Sequence, residues 1–229
     1  MIIAITGVSS GIGKAMFKLA LDQGHTCIGL TRRISKIQDS ILQNHNSILI
    51  EVDWANINEV IESIESQGIQ KGAIDVLVNN AATIDVNDLL STGQDLLMIQ
   101  FKTNAVLPFL LSKELLQSGL FAQGAHIVNV GSMAGYQDSV KFPGLGAYSA
   151  SKAALACLTQ SMASEWGDRL SVNCLCLGAV NTDMLKSAFP DYLAPISDVQ
   201  MASYIISFAV SAPDLMSGQV IPVKKDDPK

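Results

Sequence analysis

Seven short runs of apolar residues, rich in β-branched side chains, alternate with longer segments of helical periodicity. The runs are Ile2–Thr6, Thr26–Leu30, Ser47–Val52, Asp75–Asn79, His126–Val130, Ser171–Leu177 and Gln219–Val223. Almost continuous hydrophobicity over about 4–8 residues is typical of strands that are buried on both faces, as in parallel sheets. Strands that alternate with helices imply parallel pairing through right-handed crossovers. The pattern therefore predicts an α/β fold, a doubly wound parallel sheet of about seven strands with helices on both faces.

Six segments between these runs have helical periodicity, and they are Lys14–Gln23, Ile34–Gln43, Ile57–Gln67, Leu96–Gln117, Ala147–Glu165 and Asp198–Ser211. No linker rich in Pro, Gly or Ser divides the chain, and 229 residues suit one domain. We therefore predict a Rossmann-type arrangement in a single domain that spans residues 1–229. The loops expected to be most mobile are Tyr136–Gly146 and Thr182–Pro195.

The composition argues against several classes of protein. A net charge of −6 disfavours nucleic-acid binding through a general basic surface. No segment reaches the length of about 18 apolar residues that a membrane span requires. The N-terminus has no basic segment before its first apolar run, so we expect no signal peptide. These features together lead us to expect a cytoplasmic protein.

The four cysteines do not have the spacing of a zinc site; they are Cys27, Cys157, Cys174 and Cys176. We expect them to be reduced core residues. Because side chains alternate along a strand, Cys174 and Cys176 should point to one face of the sheet. The three histidines are likewise not spaced like metal ligands, so we expect no metal cofactor.

The first strand is followed by a glycine-rich turn with the sequence TGVSSGIG, at Thr6–Gly13. Glycines at these positions let the backbone approach a diphosphate, which then lies at a helix N-terminus. The candidate cofactor contacts in the turn are Gly7, Ser9, Ser10, Gly11, Ile12 and Gly13. A strand-to-helix turn without a ligand is the alternative, but three glycines and two serines directly after the first strand favour a dinucleotide.

The end of the second strand carries Thr31, Arg32 and Arg33. In dinucleotide-binding folds this position contacts the adenosine ribose, and a carboxylate there selects NAD. A guanidinium instead binds a 2′-phosphate through two charge-assisted hydrogen bonds. We therefore predict that NADP(H) is preferred, with Arg32 as the main contact and NAD(H) as a possible cofactor. The alternative is a basic turn that contacts only solvent.

Taken in order along the chain, this turn and seven further segments resemble the short-chain dehydrogenase/reductase family in its simple, single-domain type. The further segments are VDW with Asp53, NNAAT at Asn79–Thr83, FKTNAVLP with Asn104, VNVGSMAG with Ser132, YSASK with Tyr148 and Lys152, LGAVNTDM at Leu177–Met184, and SGQVIPV at the last strand. Each motif alone is weak, whereas the whole set in this order is specific. Two positions depart from the family pattern, since Ala82 replaces a glycine and Leu177 replaces a proline.

The resemblance implies roles for particular residues. The implied catalytic residues are Asn104, Ser132, Tyr148 and Lys152. Further implied cofactor contacts are Asp53, Asn79, Asn80, Ala81, Tyr148, Lys152 and Thr182. Lys152 would also hold the nicotinamide ribose, Ser132 would orient the substrate oxygen, and Asn104 would hold a water that links Lys152 to solvent.

Tyr148 and Lys152 lie about one helical turn apart, so their side chains share a face. An ordinary phenol has a pKa of about 10, above the useful range for proton transfer near neutrality. Lowering that pKa by two to three units requires roughly 3–4 kcal/mol. An ammonium about 4 Å away supplies on the order of 4 kcal/mol at an effective dielectric near 20. We therefore expect Lys152, helped by the positive charge of an oxidised nicotinamide, to lower the pKa of Tyr148 into the working range.

Several of these residues have purely structural alternatives. Tyr148 could be a tyrosine whose hydroxyl is satisfied by the backbone, and Lys152 could be a surface lysine. Asparagine is locally unfavourable within a helix, so Asn104 could mark a kink before Pro108. Asp53 could cap the end of a strand, and Ser132 could cap the segment that follows its strand.

Three functions are compatible with these motifs to different degrees. The leading hypothesis is an NADP(H)-dependent oxidoreductase that interconverts a carbonyl and an alcohol. The second is a non-catalytic NAD(P)-binding regulator of the same fold, although such proteins usually lose the tyrosine or the lysine. The third, a sugar-nucleotide epimerase, would require a different glycine spacing and a large C-terminal substrate region.

The substrate is expected to be a small molecule that carries a carbonyl or an alcohol. The residues expected to line its site are mostly apolar, and they are Met133, Tyr136, Phe142, Leu145, Met184, Phe189 and Tyr192. The resemblance also implies a homodimer or homotetramer that packs through the helices Leu96–Gln117 and Ala147–Glu165.

Overall fold

The computed structural model describes residues 1–37, 41 and 43–225. Seven strands form one parallel sheet in the order β3-β2-β1-β4-β5-β6-β7. The strands are β1 Ile2–Thr6, β2 Thr26–Thr31, β3 Ser47–Glu51, β4 Ile74–Asn79, β5 Phe121–Ser132, β6 Leu170–Leu177 and β7 Val220–Val223. The strand order reverses direction between β1 and β4, which confirms the predicted doubly wound sheet. In such sheets a ligand binds beyond the carboxyl ends of the strands at this point of reversal.

The helices of the described residues lie between the strands. They are α1 Gly11–Asp22, α2 Ile57–Ser66, α3 Gln94–Phe101, α4 Leu107–Gln117, α5 Gly146–Trp166, α6 Asp183–Ala188 and α7 Asp198–Ser211. Short 3₁₀ turns occur at Ile34–Lys36 and Met133–Gly135. No helix in this part of the chain is long and apolar enough to cross a membrane.

Each face of the sheet has its own apolar core, because successive side chains of a strand point to opposite faces. From β1, Ile3 and Ile5 enter the core formed with α1 and α7, whereas Ala4 enters the core formed with α2, α4 and α5. Helices on both faces bury the sheet from both sides. This burial explains why the strands are apolar almost throughout.

The segment predicted as one helix over Leu96–Gln117 is not a single α-helix. A π-helical segment, Lys102–Val106, separates α3 from α4, and the Leu107 N–H donates to the Lys102 carbonyl five residues earlier. Pro108 stands at the first turn of α4. Because proline has no N–H to donate, a regular α-helix could not continue through this point. The predicted helix Leu96–Gln117 is therefore present as one helical stretch, but its middle part is π-helical rather than α-helical.

Two other predicted segments differ from the structure. Residues 183–188, expected to lie in a loop, form the short helix α6, whose first turn is capped by the Thr182 hydroxyl. The predicted helix Ile34–Gln43 begins as the 3₁₀ turn Ile34–Lys36. The rest of that prediction falls largely outside the described residues.

Candidate active site

A cavity of about 410 Å³ opens at the carboxyl edge of the sheet, where β1, β2, β4, β5 and β6 end. Fifteen of the predicted site residues line it, and they are Gly7, Ser9, Ser10, Gly11, Ile12, Gly13, Thr31, Arg32, Arg33, Asn80, Ala81, Ser132, Tyr148, Lys152 and Thr182. Three others, Asp53, Asn79 and Asn104, do not line the cavity. The glycine turn and the Y-x-x-x-K pair therefore face one continuous space.

The glycine turn leads from β1 directly into the N-terminus of α1. Gly7 and Gly11 have φ angles of +76° and +51°, which side chains other than glycine rarely adopt. Ser10 is the N-cap of α1, yet its side chain makes no capping hydrogen bond. The first N–H groups of α1 and the Ser10 hydroxyl therefore remain able to bind an anion at the positive end of the helix.

Asn80, in the segment after β4, fixes the position of this turn. Its Nδ2 donates to the Thr6 carbonyl at 2.9 Å and to the Gly7 carbonyl at 3.4 Å. In return, the Thr6 hydroxyl accepts from the backbone N–H groups of Asn80 and Ala81, both at 2.9 Å. Asn80 therefore holds β1 and β4 together at the floor of the cavity, a role that its motif did not reveal.

Strand β2 ends at Thr31, and Arg32 and Arg33 come directly after it, as predicted. Thr31 is buried, and its hydroxyl accepts from the Arg33 N–H at 3.3 Å. Both guanidinium groups are exposed at the cavity rim, and neither forms a salt bridge with a residue that the structure describes. Lys36 adds a third positive charge to the same rim.

A carboxylate close to these arginines was not singled out from the sequence. Glu51 ends β3 beside Thr31, and its Oε2 accepts from the Ile34 N–H at 2.8 Å. The carboxylate is thereby used to hold the turn after β2. The contact could not be found by motif, because it joins residues 17 positions apart through the pairing of two strands.

Ser132 is the last residue of β5. Its hydroxyl accepts from the Ala134 N–H at 3.1 Å, which caps the 3₁₀ turn that follows, and the same hydroxyl acts on the Tyr148 phenol, whose pKa it lowers. The capping role that the sequence allowed as an alternative is therefore real. It coexists with a position in the cavity directly beside the phenol.

Tyr148 and Lys152 lie on the first turns of α5, and both are buried. Burial raises the pKa of the Tyr148 phenol, and the hydrogen bond with Ser132 only partly opposes this effect. In this arrangement the charge of Lys152 alone does not lower the pKa of Tyr148 below its ordinary value, so the expected shift depends on the added positive charge of an oxidised nicotinamide. The estimate from charge alone left out the cost of removing a phenolate from water.

Lys152 is only 3% exposed, and its Nζ donates to the Val130 carbonyl at 2.8 Å. Burial lowers the pKa of its ammonium to about 8, although the nearby Cys174 and Cys176 oppose the shift. A surface role for this lysine is thereby excluded. Its proton is exchangeable near neutral pH.

Asn104 is fully buried in the π-helical segment, and its side chain joins two other parts of the chain. The Oδ1 accepts from the Thr83 N–H and the Nδ2 donates to the Thr83 carbonyl, both at 2.9 Å. The Nδ2 also donates to the Ser151 hydroxyl at 3.0 Å, and that hydroxyl donates to the Tyr148 carbonyl at 2.7 Å. The side chain therefore fixes α5 and the segment after β4.

These bonds place the Asn104 side chain away from the cavity, where it was expected to hold a water beside Lys152. The backbone carbonyl of Asn104 has a different environment from the side chain. Pro108 has no N–H, so this carbonyl lacks the donor that a regular helix would supply four residues later. This backbone oxygen, and not the side chain, is thus the group of Asn104 that lacks a regular α-helical partner.

Asn79 and Asp53 also lie outside the cavity. The Asn79 Nδ2 donates to the Asn129 Oδ1 at 2.8 Å and to the Ser112 hydroxyl at 3.1 Å, within the core on the α4 side. The exposed Asp53 Oδ1 accepts from the Ala55 N–H at 3.0 Å. Asp53 thus has the strand-end capping role that was its alternative, while its neighbour Trp54 lines the cavity.

The far end of the cavity is apolar. Of the residues expected there, Met133, Phe142, Leu145, Met184 and Phe189 line it, whereas Tyr136 and Tyr192 do not. Other apolar lining residues were not foreseen, and they are Ala82, Ile84, Leu185 and Ala188. The last two lie on α6, in the segment that the sequence predicts to be a loop.

Two comparisons of the sequence agree with this geometry. The sequence model of the short chain dehydrogenase family matches residues 1–193. A 3-oxoacyl-[acyl-carrier-protein] reductase of Vibrio harveyi is 31% identical over 195 residues, which are 83% of this chain and 78% of that protein. Carbonyl reductase family member 4 of Xenopus laevis is 29% identical over 83% of this chain and 80% of its own.

Solved structures share the fold over nearly the whole chain. A 4-hydroxyisoleucine dehydrogenase complexed with NADH superposes with a TM-score of 0.84 at 24% identity, over 97% of this chain and 96% of its own. The protein ElxO with NADP bound gives a TM-score of 0.81 at 22% identity, over the same shares. From its sequence match, its parallel sheet and its relatives, this chain belongs to the short-chain dehydrogenase/reductase family of oxidoreductases.

Proposed function

We propose that this protein is an NADP(H)-dependent oxidoreductase that interconverts a carbonyl and an alcohol, with Tyr148 as proton donor and acceptor. The observation that carries the proposal is the single cavity in which Ser132, Tyr148 and Lys152 face a glycine turn. The family and its named relatives, which include reductases of 3-oxoacyl groups and of carbonyls, support the reaction class.

The residues around the cavity fit a nicotinamide dinucleotide. The open N-terminus of α1 and the backbone of the glycine turn suit its diphosphate. Arg32 and Arg33 suit a 2′-phosphate, because their guanidinium groups are exposed and not paired with a described carboxylate. Solved neighbours with NADH and with NADP both exist, so the preference for NADP(H) is argued from these arginines. Once bound, the nicotinamide supplies or accepts the hydride.

The proton chemistry belongs to the protein. The Tyr148 phenol is the group that can donate the proton required for reduction of a carbonyl, and the neighbouring positive charge of Lys152 would favour release of that proton against the burial that raises the pKa of the phenol. The Ser132 hydroxyl lies beside the phenol and can donate to the same substrate oxygen. Lys152, with a pKa of about 8, can return a proton to the phenolate after each turnover.

The apolar end of the cavity favours an uncharged substrate. Phe142 and Phe189 meet edge to face across this end, with ring centroids 5.3 Å apart and an interplanar angle of 79°. Among the described residues that line the cavity, Asp183 is the one with an acidic side chain. Its carboxylate pairs with the Lys186 ammonium at 3.9 Å. A ketone, an aldehyde or a 3-oxoacyl thioester with an apolar chain suits these walls better than a sugar or a phosphorylated compound.

The experiment is a screen of NADPH oxidation over these carbonyl classes, with NADH in parallel. Tyr148→Phe should reduce turnover of the best substrate by at least about 100-fold, the usual contribution of a proton donor, and leave NADPH affinity nearly intact. Tyr204→Phe, at an exposed tyrosine of α7, serves as the matched control and should behave as wild type. An active Tyr148→Phe variant would refute the mechanism. Tight NADPH binding without turnover of any class would instead favour a non-catalytic regulator.

A further inference from the structure

Cys174 and Cys176 stand two residues apart on β6, and their side chains lie on the same face of the sheet. The two Sγ atoms are 3.9 Å apart, and both residues are completely buried. They form a small cluster with Met133 and Ala156, against which the half-buried residues Tyr136 and Val220 pack. The two thiols are thus adjacent to each other and packed beneath side chains that are themselves only half-buried.

The thiol pair is also in contact with the strand end that carries the candidate active site. A Cβ built on Gly131 would come within 2.6 Å of the Cys174 Sγ and 3.0 Å of the Cys176 Sγ. Gly131 joins Val130, whose carbonyl accepts from Lys152, to Ser132, whose hydroxyl caps the 3₁₀ turn that follows β5. The end of β5 therefore leaves no spare room beside the sulfurs.

The spacing of the pair suits a bridging atom better than a direct bond between the sulfurs. A disulfide requires sulfurs about 2.05 Å apart and Cα atoms usually at most about 6.8 Å apart. Two residues along a strand span roughly 6.6–6.8 Å, at the limit of that range. A soft atom placed between the sulfurs removes the need for them to close on each other, and thiolates are the ligands that soft atoms prefer.

We propose that Cys174 and Cys176 form a dithiol site that captures trivalent organic arsenicals, and that its occupation inactivates the enzyme. With phenylarsine oxide, both S–H bonds and the arsenic–oxygen double bond break, and two arsenic–sulfur bonds form. The two protons leave with the oxygen as water, and arsenic stays trivalent, so the step needs neither an oxidant nor a reductant.

The other two cysteines cannot take the place of this pair. Cys27 lies on β2, four positions from β6 in the sheet, which corresponds to about 19 Å at the usual strand spacing. Cys157 is an exposed single thiol on α5. Each of these thiols can form one bond to arsenic, whereas the pair can form two. The second bond forms within the same molecule, which increases the affinity of the pair for arsenic.

Inactivation follows from the lack of room. An arsenic atom with its phenyl group must displace either the side chains over the cluster or the end of β5, which carries the Val130 carbonyl and Ser132. Displacing β5 moves the acceptor that holds Lys152 and the hydroxyl beside Tyr148. This consequence rests on the proposed function, whereas the capture itself does not.

The test treats the full chain with one equivalent of phenylarsine oxide and follows both intact mass and carbonyl reduction. Wild type should gain one phenylarsenic group with loss of two hydrogens, lose activity in parallel, and recover both on addition of 2,3-dimercaptopropanol but not of a monothiol. Cys174→Ala and Cys176→Ala should weaken capture roughly 100-fold or more. Cys157→Ser, the matched control, should be captured as wild type.

The outcomes distinguish a failure of the dithiol site from a failure of the proposed oxidoreductase function. Circular dichroism and NADPH titration verify that each alanine variant is folded, and retention of wild-type capture by either variant would overturn the site. An unmodified wild-type chain would overturn it too. Capture with full activity would overturn the inactivation alone. A captured chain that reduces no carbonyl, treated or untreated, would instead count against the proposed function.

Discussion

Gly13 is a residue at which one added methyl group has a large effect. A Cβ there would come within 2.2 Å of the Gly7 carbonyl oxygen and 2.4 Å of the Asn80 Nδ2. The first of these atoms is backbone, and the second is held by its bond to Thr6, so neither can move without opening the turn. The glycine is therefore required by close packing between α1 and the two strand ends.

Gly13→Ala should accordingly destabilise the protein by about 1–3 kcal/mol or more, as overpacking does, and weaken NADPH binding at the same time. Thermal unfolding and fluorescence titration with NADPH measure the two effects. Gly93→Ala is the control, since nothing lies within 4 Å of its Cβ position. Equal behaviour of the two variants would show that the turn is less tightly packed than the distances indicate.

Arg32 carries the argument for NADP(H). A hydrogen bond to a charged group contributes about 1.5–3 kcal/mol, and about 1.4 kcal/mol corresponds to a tenfold change in affinity. Arg32→Ala should therefore weaken NADPH binding by roughly 10- to 100-fold and leave NADH binding nearly unchanged. Titration of both cofactors tests this, with the exposed Arg169→Ala as the control. Equal losses for both cofactors would refute the argument for specificity.

At the scale of elements, the buried imidazole of His126 couples β5 to two neighbours. Its Nδ1 is 2.9 Å from the Ala209 carbonyl of α7, and its Nε2 is 3.0 Å from the Asn173 Nδ2 of β6. Because the carbonyl can only accept, Nδ1 carries the proton and Nε2 accepts from the amide. A second proton on the ring would place two donors face to face.

Burial lowers the pKa of His126 from the usual 6.5, so below that pH the unfolded chain binds more protons than the folded one. The contribution of this residue to the free energy of unfolding should therefore be complete above pH 6.5 and decrease as the pH falls. The slope is at most about 1.4 kcal/mol per pH unit. Urea unfolding between pH 7 and pH 5 should show a smaller loss for His126→Gln than for wild type. The exposed His45→Gln is the control, and an unchanged slope in His126→Gln would contradict the assignment.

The π-helical segment makes a similar prediction for Asn104. Asn104→Ala removes three hydrogen bonds and leaves the N–H and carbonyl of Thr83 without their side-chain partner. Thr83 is half-buried, and each hydrogen bond contributes about 0.5–1.5 kcal/mol, so loss of the three bonds should lower the free energy of unfolding by about 1.5–4.5 kcal/mol. Denaturant unfolding measures the loss. Asn87→Ala, on the exposed loop after β4, should be nearly neutral, and a comparably mild Asn104→Ala would show that these bonds contribute little.

Elements and motifs that depend on neighbouring residues could be predicted, and those that depend on distant partners could not. The strands and the glycine turn follow from local patterns, and the structure has them within a few residues of the predicted bounds. The partners of Asn104, in contrast, lie 21 and 47 residues away in sequence. The raised pKa of Tyr148 likewise results from burial by the whole site, which the spacing to Lys152 could not reveal.

At the scale of the whole molecule, α3 has its polarity inverted relative to a normal surface helix. Its Gln100 is completely buried, whereas its Met98 and Ile99 are 59% and 54% exposed. Val106 in the π-helical segment and Leu90 in the preceding loop are exposed as well. Contiguous exposed apolar residues mark interaction surfaces in soluble proteins.

The exposed residues Met98, Ile99 and Val106 form a surface within Leu96–Gln117, one of the two helices through which family resemblance predicts association, and the exposed Leu90 precedes this helix. We therefore expect a homodimer or homotetramer that buries this surface, because a closed assembly with two-fold symmetry presents the same patch from both subunits.

Light scattering after size-exclusion chromatography should give a mass of two or four chains for wild type. Met98→Lys and Ile99→Glu should shift the protein toward the monomer, since each would bury an unpaired charge in the interface. Leu215→Glu is the matched control, because Leu215 is an exposed leucine after α7, outside this surface. A monomeric wild type at micromolar concentration would refute the expectation, and dissociation by Leu215→Glu alone would place the interface elsewhere on the molecule.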